Sequence, residues 1–558
     1  MSKSYLLFFL FSIPFSSFLQ AQAPQVLSTI PANQSITALP QTSITIAFDQ
    51  ALDIQTIDYA SFRLFGRWSG PMAFAFSMSN DNHDVELIPE ESFFAGEWVV
   101  LNISTALKAA NGSPMEKGYT IGFWIATTSG TLLQTFVEEI PLRMPGEGLL
   151  QTYGAYAGDL NNDGYTDLTT VNETSDDLRI LLNDGSGSYH DWTLYDMGNG
   201  QPSPSEGADF NNDGEIDLVV TTAHGDEVRV LLGDGEGSFQ SMDIYTAGEA
   251  ARGVAILDLE GNGNDDIIVT NRDNNNITLL TNDGTGAFSI LSSDLDPSGT
   301  GETAVVVTDA NNDGIADAFV GNYYSEELCL YLGDGEGGLF LSDKIAVQGS
   351  PWMIAAGDLN GDGFADVASA NSNADIMVVS FGDGAGGLSP SVNYSSAGAS
   401  FPLAIDIGDL DGDGDLDIVT SNYSSASFVV FENEGAGIFS VAATLSAPHF
   451  ASCAILHDRD NDGDLDITGT DEGDDVVLIF ENGMSSSSQA ASGEKMRIRL
   501  LPNPIHDFLI VDMGYSPLAI SQAALYNLQG MKVAAHGEGA FVLQGTRLVL
   551  DMRTLPAG

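Results

Sequence analysis

The sequence predicts an all-β chain, and two observations carry that expectation. An aspartate-rich pattern of nine residues recurs seven times between Asp159 and Asp466, each copy flanked by short β-branched runs. Ahead of it, residues 25–127 lack the repeat but alternate brief apolar stretches with turn residues, the pattern of half-buried strands.

Taken in order, the first element is not part of the fold. Lys3 precedes an apolar run from Tyr5 to Leu19, followed by the small residues Ala21 and Ala23. This is the three-part pattern of a secretory signal peptide, too short for a stable membrane span. Pro24 hinders cutting just before it, so residues 1–21 are expected to be removed and the protein to be secreted or held at the outer cell surface. No other segment is long and apolar enough to span a bilayer. The composition argues against nucleic acid and anionic membranes as partners. With 78 acidic residues against 18 basic ones, the formal net charge is −60. At long range such a chain repels nucleic acid and anionic membranes. Yet 43% of residues are hydrophobic, enough for a packed core, so the acid must be placed specifically or neutralised by cations. The two cysteines, Cys329 and Cys453, sit in apolar β-like stretches and read as buried free thiols; rigidity must come from something other than disulfides.

Residues 25–127 read as a β-sandwich. Strands are expected at Ser43 to Phe48, Val85 to Ile88, Trp98 to Ile103 and Tyr119 to Ala126, separated by turn residues such as Pro89 and Asn111-Gly112.

Residues 130–484 are organised by the repeat. Copies of Asp-x-(Asn/Asp)-x-Asp-Gly-x-x-Asp begin at Asp159, Asp209, Asp258, Asp309, Asp358, Asp409 and Asp458, with spacings of 49 to 51 residues. An apolar stretch leads into each loop, as in Val254-Ala255-Ile256-Leu257, and a β-branched run follows, as in Leu218-Val219-Val220-Thr221. Then come a second run (Val228 to Leu232), a glycine-rich turn (Gly233-Asp234-Gly235-Glu236-Gly237) and a strand starting near an aromatic such as Tyr189, Phe239, Phe288, Phe340 or Phe439. Four short strands per unit is the signature of a propeller blade, so seven blades around a channel are expected. The last unit lacks its fourth strand, and an unattached strand, Leu132 to Leu142, precedes the first, with Phe136 placed like the other aromatics. That strand is expected to close the ring and leave no open sheet edge. An open solenoid of stacked repeats is the alternative.

The loops have the composition of calcium sites. Alternate oxygen side chains on a tight turn point at a common centre, the glycine at position 6 permits the turn, and position 7 offers a backbone carbonyl. The expected ligands in the first four loops are Asp159, Asn161, Asp163, Tyr165 and Asp167; Asp209, Asn211, Asp213, Glu215 and Asp217; Asp258, Glu260, Asn262, Asn264 and Asp266; and Asp309, Asn311, Asp313, Ile315 and Asp317. In the last three they are Asp358, Asn360, Asp362, Phe364 and Asp366; Asp409, Asp411, Asp413, Asp415 and Asp417; and Asp458, Asp460, Asp462, Asp464 and Asp466. The varied side chains at position 7 agree with a carbonyl ligand there, and position 9 is always Asp. All-oxygen donors select a hard cation, and Ca2+ tolerates a flexible loop better than Mg2+ does. No histidine or cysteine pattern competes for zinc. Up to seven structural Ca2+ ions are expected, most strongly held in loops six and seven, which are richest in carboxylate, and most weakly in loop three, with Glu260 and neutral Asn262.

These units resemble the FG-GAP/VCBS-type repeats of integrin α-subunit propellers and of many bacterial surface proteins. The resemblance implies a calcium-stabilised propeller used for protein or carbohydrate binding. The stretches Thr29-Ile30-Pro31-Ala32-Asn33 and Ile46-Ala47-Phe48-Asp49 resemble the bacterial Ig-like modules of surface-layer proteins, commonly spacers or adhesive arms. Residues 485–495 form a Ser/Ala-rich linker. Beyond it, at 496–558, six of the 18 basic residues fall between Lys495 and Arg553, and Leu501-Pro502-Asn503-Pro504, Leu525-Tyr526-Asn527-Leu528-Gln529-Gly530 and Leu555-Pro556-Ala557-Gly558 follow in order. This tail resembles the C-terminal sorting domain of type IX secretion, a small β-sandwich, here lacking its usual final strand. The resemblance implies the type IX machinery as a partner and a Bacteroidetes-like source.

There is no Gly-x-Ser-x-Gly elbow, His-Glu-x-x-His, Walker loop or dinucleotide fingerprint. The regularly placed carboxylates are already assigned to the loops, so an enzyme is not expected. The favoured reading is a binding or adhesion protein for an extracellular protein or glycan. A propeller-scaffolded carbohydrate lyase or hydrolase, and an architectural surface protein without a specific ligand, are the alternatives. Residues six before each loop are expected near the channel mouth: Tyr153, Ser203, Arg252, Thr303, Trp352, Leu403 and Ser452. Of these Arg252 and Trp352 are the candidate ligand contacts, because Arg and Trp dominate binding hot spots.

Overall fold

The computed structural model describes residues 22–295 and 299–483, and beyond them the backbone of six short strands between Arg499 and Asp551. The expected signal peptide and the linker lie outside the described residues. The chain divides into two compact units, 1–485 and 486–558. In the second, Arg499–Leu501, Phe508–Asp512, Arg547–Asp551 and Phe541–Gln544 form one antiparallel sheet in that spatial order, and Ala524–Tyr526 pairs with Lys532–Ala535.

The first unit opens with two four-stranded sheets packed face to face. One is ordered Val26–Ile30, Ile44–Phe48, Asp84–Pro89, Phe74–Ser79; the other Gly70–Pro71, Phe62–Gly66, Trp98–Ile103, Tyr119–Trp124. Alternation does the folding here: Ile44, Ile46 and Phe48 are buried while Thr45 and Ala47 between them are not, and Phe62 and Leu64 alternate with Arg63 in the same way. These side chains share one core with Val85, Leu87, Val99, Leu101 and Phe123.

Residues 134–482 build seven further four-stranded antiparallel sheets, numbered here 1 to 7. Sheet 1 is Thr152–Gly158, Asp167–Asn172, Asp177–Asn183 and Tyr189–Asp196. The first strands of sheets 2 to 7 are Pro202–Ala208, Ala251–Leu257, Glu302–Thr308, Pro351–Gly357, Pro402–Gly408 and Ala451–His457. Each first strand lies against the next, and Ala451–His457 lies against Thr152–Gly158, so the row closes on itself as a propeller does. Gln134–Pro141 supplies the outer strand of sheet 7, pairing antiparallel with Val476–Asn482. The second strands are buried on both faces, all six residues in Asp167–Asn172 and again in Asp417–Asn422, which is why they read as continuous β-branched runs.

Asparagines tie neighbouring sheets. The Asn282 side-chain amide donates to the Phe210 carbonyl of the previous sheet, Asn433 to Leu359, and Asn482 to Leu410. Asn183 makes the same bond to Arg459, at 3.0 Å, across the junction where sheet 7 meets sheet 1. The closure therefore uses the same chemistry as the interior joints.

The aromatic register needs correction in two sheets. The position opposite the end of the third strand holds Tyr189, Phe239, Phe288 and Phe439, all buried, but in sheet 4 it holds Leu339 and in sheet 7 Gln134. Phe340 and Phe136 lie one and two residues further along and are about half exposed. A strand alternates faces, so Phe340, one place out of step, points outward; Phe136, two places on, lies opposite Phe480 beside a register shift and packs edge-on against its ring.

The sandwich sits on the acid-loop side of the ring. Thr105 donates its amide to the Gly261 carbonyl, Thr120 to Gly314, Thr128 to Gly463 and Gly130 to Asp411, while the Asp159 amide donates to Trp68. Arg67 pairs with Asp406 at 2.9 Å across the same interface.

Candidate metal loops and the free mouth of the channel

Each first-position carboxylate is held by its own loop. Asp159 accepts the amides of Asp163 (3.0 Å) and Gly164 (2.8 Å) on its two oxygens, and the same pair of bonds recurs at Asp209, Asp258, Asp309, Asp358, Asp409 and Asp458. The fifth-position oxygen accepts the amide of position 7, as Asp163 does from Tyr165 and Asp413 from Asp415. Position 6 needs glycine: φ lies between 82° and 96° in all seven loops. Position 4 also has positive φ throughout and is always Asn or Gly (Asn162, Asn212, Gly261, Asn312, Gly361, Gly412, Asn461), a regularity visible in the sequence but not exploited there.

The ninth-position carboxylates stand apart from this nest. Asp217 accepts Phe210 N–H at 2.8 Å and Gly233 N–H at 2.7 Å, clamping the loop to the third strand, and five of the other six do likewise. All seven are buried. Loss of water weakens them as acids, raising their pKa to about 7 at Asp167 and Asp317 and about 8 at Asp217, Asp266, Asp366, Asp417 and Asp466, against the pull of the amides. The first-position groups rise for the same reason, to about 6 at Asp159 and Asp209 and about 7 at Asp458.

The loops are not equivalent. In loops one, two and four the position-3 asparagine donates its side-chain amide to the position-5 carboxylate, as Asn211 does to Asp213 at 2.7 Å. Loops six and seven put Asp at position 3, so three carboxylates converge: Asp409, Asp411 and Asp413, and Asp458, Asp460 and Asp462, each set with ligand atoms within 4.8 Å. In loop three Glu260 accepts from the Asn262 side chain instead of from the position-5 amide. Loop seven goes further. The Asp464 side chain is buried, and neither of its oxygens has a hydrogen-bond donor; Asp466 Oδ2 is likewise without one, with Arg459 Nε 3.5 Å away. Orphaned carboxylate oxygens beside three others form a donor set suited to a hard divalent cation. His457, next to loop seven, is no ligand: both ring nitrogens bond threonine hydroxyls, of Thr166 and Thr468, and burial lowers its basicity to about 3.

Between sandwich and ring lies a cavity of about 310 Å³, lined by small apolar residues of the first strands and by Arg67, Glu206 and Asp406. Burial pushes Glu206 up to about 7, and Glu97, which accepts amides from Trp68, Ser69 and Phe94, also to about 7. None of these charged groups belongs to a repeat pattern, so sequence reasoning passed over them.

The other mouth is free of the sandwich. It is formed by the starts of the first strands and by the turns between second and third strands. There the structure brings Arg252 and Trp352 together. The Arg252 guanidinium pairs with Glu173 at 2.9 Å and lies 5.6 Å and 5.9 Å from the ring centres of Tyr153 and Trp352. The Trp352 indole N–H donates to Tyr153 Oη at 2.6 Å. Arg252 is buried, whereas Trp352 keeps part of its ring exposed.

A ring of four-stranded sheets carrying an Ig-type sandwich defines a multidomain β-propeller protein. Residues 209–269, 258–320, 309–369, 358–420 and 409–468 match the FG-GAP-like repeat, and residues 20–128 match the bacterial Ig-like domain. FG-GAP repeats commonly bind calcium, and both modules are typical of extracellular proteins. No curated protein matches the chain in sequence. Among solved structures, similarity extends to BBS1N in complex with ARL6DN (13% identity, 63% of this chain and 98% of that one, TM-score 0.44). It extends also to a protein from Lactobacillus plantarum (13%, 70% and 98%, TM-score 0.43) and one of unknown function from Desulfotomaculum acetoxidans (14%, 56% and 90%, TM-score 0.42). Likenesses this distant carry no functional inference. Among the described residues no helix is long and apolar enough to cross a membrane.

Proposed function

We propose that this protein is an extracellular binding protein: a seven-bladed propeller, stabilised by calcium in its acid loops, that recognises a protein or glycan at the mouth opposite the sandwich and carries out no reaction. The observation that carries the reading is the unequal dress of the two faces. The acid-loop face is built from convergent carboxylates and covered by the sandwich, while the opposite mouth leaves partly exposed aromatic rings around a buried Arg252–Glu173 pair. Calcium held by the position 1, 3 and 5 side chains would neutralise charge the loops now restrain only with amides. The secretory leader, and a tail read as an address for type IX export, would place the protein outside the cell.

The test is a binding screen of the full mature chain in calcium, against extracellular matrix proteins and polysaccharides, with product release followed in the same wells. Saturable binding without turnover is expected. Turnover of any polysaccharide supports the enzyme alternative, and an empty screen supports the architectural one.

A further inference from the structure

A track of aromatic rings crosses the free mouth of the ring. It runs through Tyr324, Tyr323, Trp352, Phe401, Tyr423 and Phe450, with successive ring centres 5.4, 5.1, 6.2, 6.0 and 4.7 Å apart. Sheets 4 to 7 each contribute. Tyr323 and Tyr324 follow the second strand of sheet 4 and Tyr423 that of sheet 6, while Phe401 and Phe450 immediately precede first strands. Both kinds of turn open on the same face, so residues from four separate repeats meet in one line. Tyr324 is 57% exposed and Phe450 40%, and none of the six is among the fully buried aromatics that fill the sheets, such as Phe428 and Phe431. Aromatic rings gathered on a surface that the core does not require mark a binding site.

The arrangement narrows the ligand. Rings that enclose one point make a cage for a compact cation; these follow one another along an arc, which suits an extended chain. The two carboxylates on its inner edge are already committed. Glu173 pairs with Arg252, and Glu472 accepts from Tyr423 Oη at 2.6 Å and Ser452 Oγ at 3.0 Å. Arg252 neutralises Glu173, whereas Glu472 keeps its charge under two neutral hydroxyl donors; one hydrogen-bonded carboxylate is weak ground for holding a cationic chain, and spare lone pairs on both groups still accept from sugar hydroxyls. A polyanion is repelled by a chain of net charge −60. We propose that this track binds a neutral polysaccharide, sugar rings lying against the aromatic faces and hydroxyls bonding to the carboxylates and tyrosine oxygens at its edge. This rests on the reading of the mouth as the ligand face and names its ligand class.

The experiment is affinity electrophoresis of the full chain in calcium, through gels containing laminarin, galactomannan or hydroxyethyl cellulose, with polygalacturonate as the anionic arm and a polylysine titration as the cationic one. The variant is Tyr324→Ala/Phe450→Ala, chosen because both rings are exposed at the ends of the track. The expected result is retardation by at least one neutral polymer, weakened roughly tenfold or more in the variant, with an unchanged Tm. The inference is overturned if no neutral polymer retards the wild type, or if the variant is retarded equally. Should polygalacturonate, polylysine or a matrix protein alone bind, and the variant lose that binding, the neutral-glycan class falls while the mouth stands as the ligand face. A second variant, Trp352→Phe, keeps a ring at the centre of the track and is expected to retain most of the binding.

Discussion

The amide of Asp159, which opens the first acid loop, donates to the carbonyl of Trp68 in the sandwich at 2.7 Å. The loop that would hold a cation thus also holds the neighbouring domain; in loops three, four, six and seven the direction is reversed, and loop carbonyls accept from Thr105 and Thr120 of the sandwich and from Gly130 and Thr128 just beyond it. Cation binding and domain docking are expected to be coupled. In hydrogen exchange followed by mass spectrometry, EDTA should speed exchange at the amides of Thr105, Thr120 and Thr128 together with those of the loops. Faster exchange in the loops alone would show the docking to be independent of metal.

The three-carboxylate loops should bind most tightly. Asp462→Ala in loop seven is expected to leave the purified chain short of one calcium by elemental analysis and to lower its Tm in calcium by about 2–4 °C. Glu260→Gln in loop three should do neither, because that side chain is engaged with Asn262 rather than with the nest of amides.

Without metal, stability should fall as pH rises. Desolvation raises Asp217, Asp266, Asp366, Asp417 and Asp466 from their ordinary value of 3.8 to about 8 in the folded chain. The folded state therefore binds more protons than the unfolded one between about pH 4 and pH 8, and the stability these groups contribute is complete below that window and lost on passing up through it. In EDTA, the urea midpoint is expected to be higher at pH 5 than at pH 8. Saturating calcium, which takes the place of the protons, should shrink or reverse the difference. A metal-free midpoint that rises with pH would contradict this assignment.

Arg67 reaches from the sandwich to the buried carboxylate of Asp406, which also accepts the Leu456 amide at 2.9 Å. Arg67→Ala removes the partner of a buried charge, and urea denaturation should register a loss of about 2 kcal/mol, reduced from the fully buried case because the guanidinium is partly open to the cavity. In the double variant with Asp406→Ala the losses should not add, which separates a direct pair from two independent defects.

Much of this architecture is written locally. A nine-residue loop specifies its own turn through the carboxylates at positions 1 and 5 and the positive φ at positions 4 and 6, so its seven copies are visible without any knowledge of what surrounds them. A strand with regular alternation, such as Ile44–Phe48, and a dense run of aromatic and β-branched residues, such as Trp98–Ile103, are equally legible. Val26–Ile30, Phe62–Gly66 and Phe74–Ser79 were not foreseen: they are short, and the outer two are largely solvent-facing, so only their partners define them. The displaced Phe136 and Phe340 show the same limit, because which face a side chain occupies depends on strand register.

The chain alone determined the all-β class, the repeat, the acid loops and the spare strand before the first repeat, since each is a pattern of neighbouring residues with its own stereochemistry. Only the folded molecule decided that the sandwich covers the acid-loop face, that Arg252 spends its charge on Glu173, and that Tyr324 and Phe450 end one aromatic track. Those relationships join residues tens to hundreds of positions apart, brought together by closure of the ring, and no local pattern encodes the distance between them.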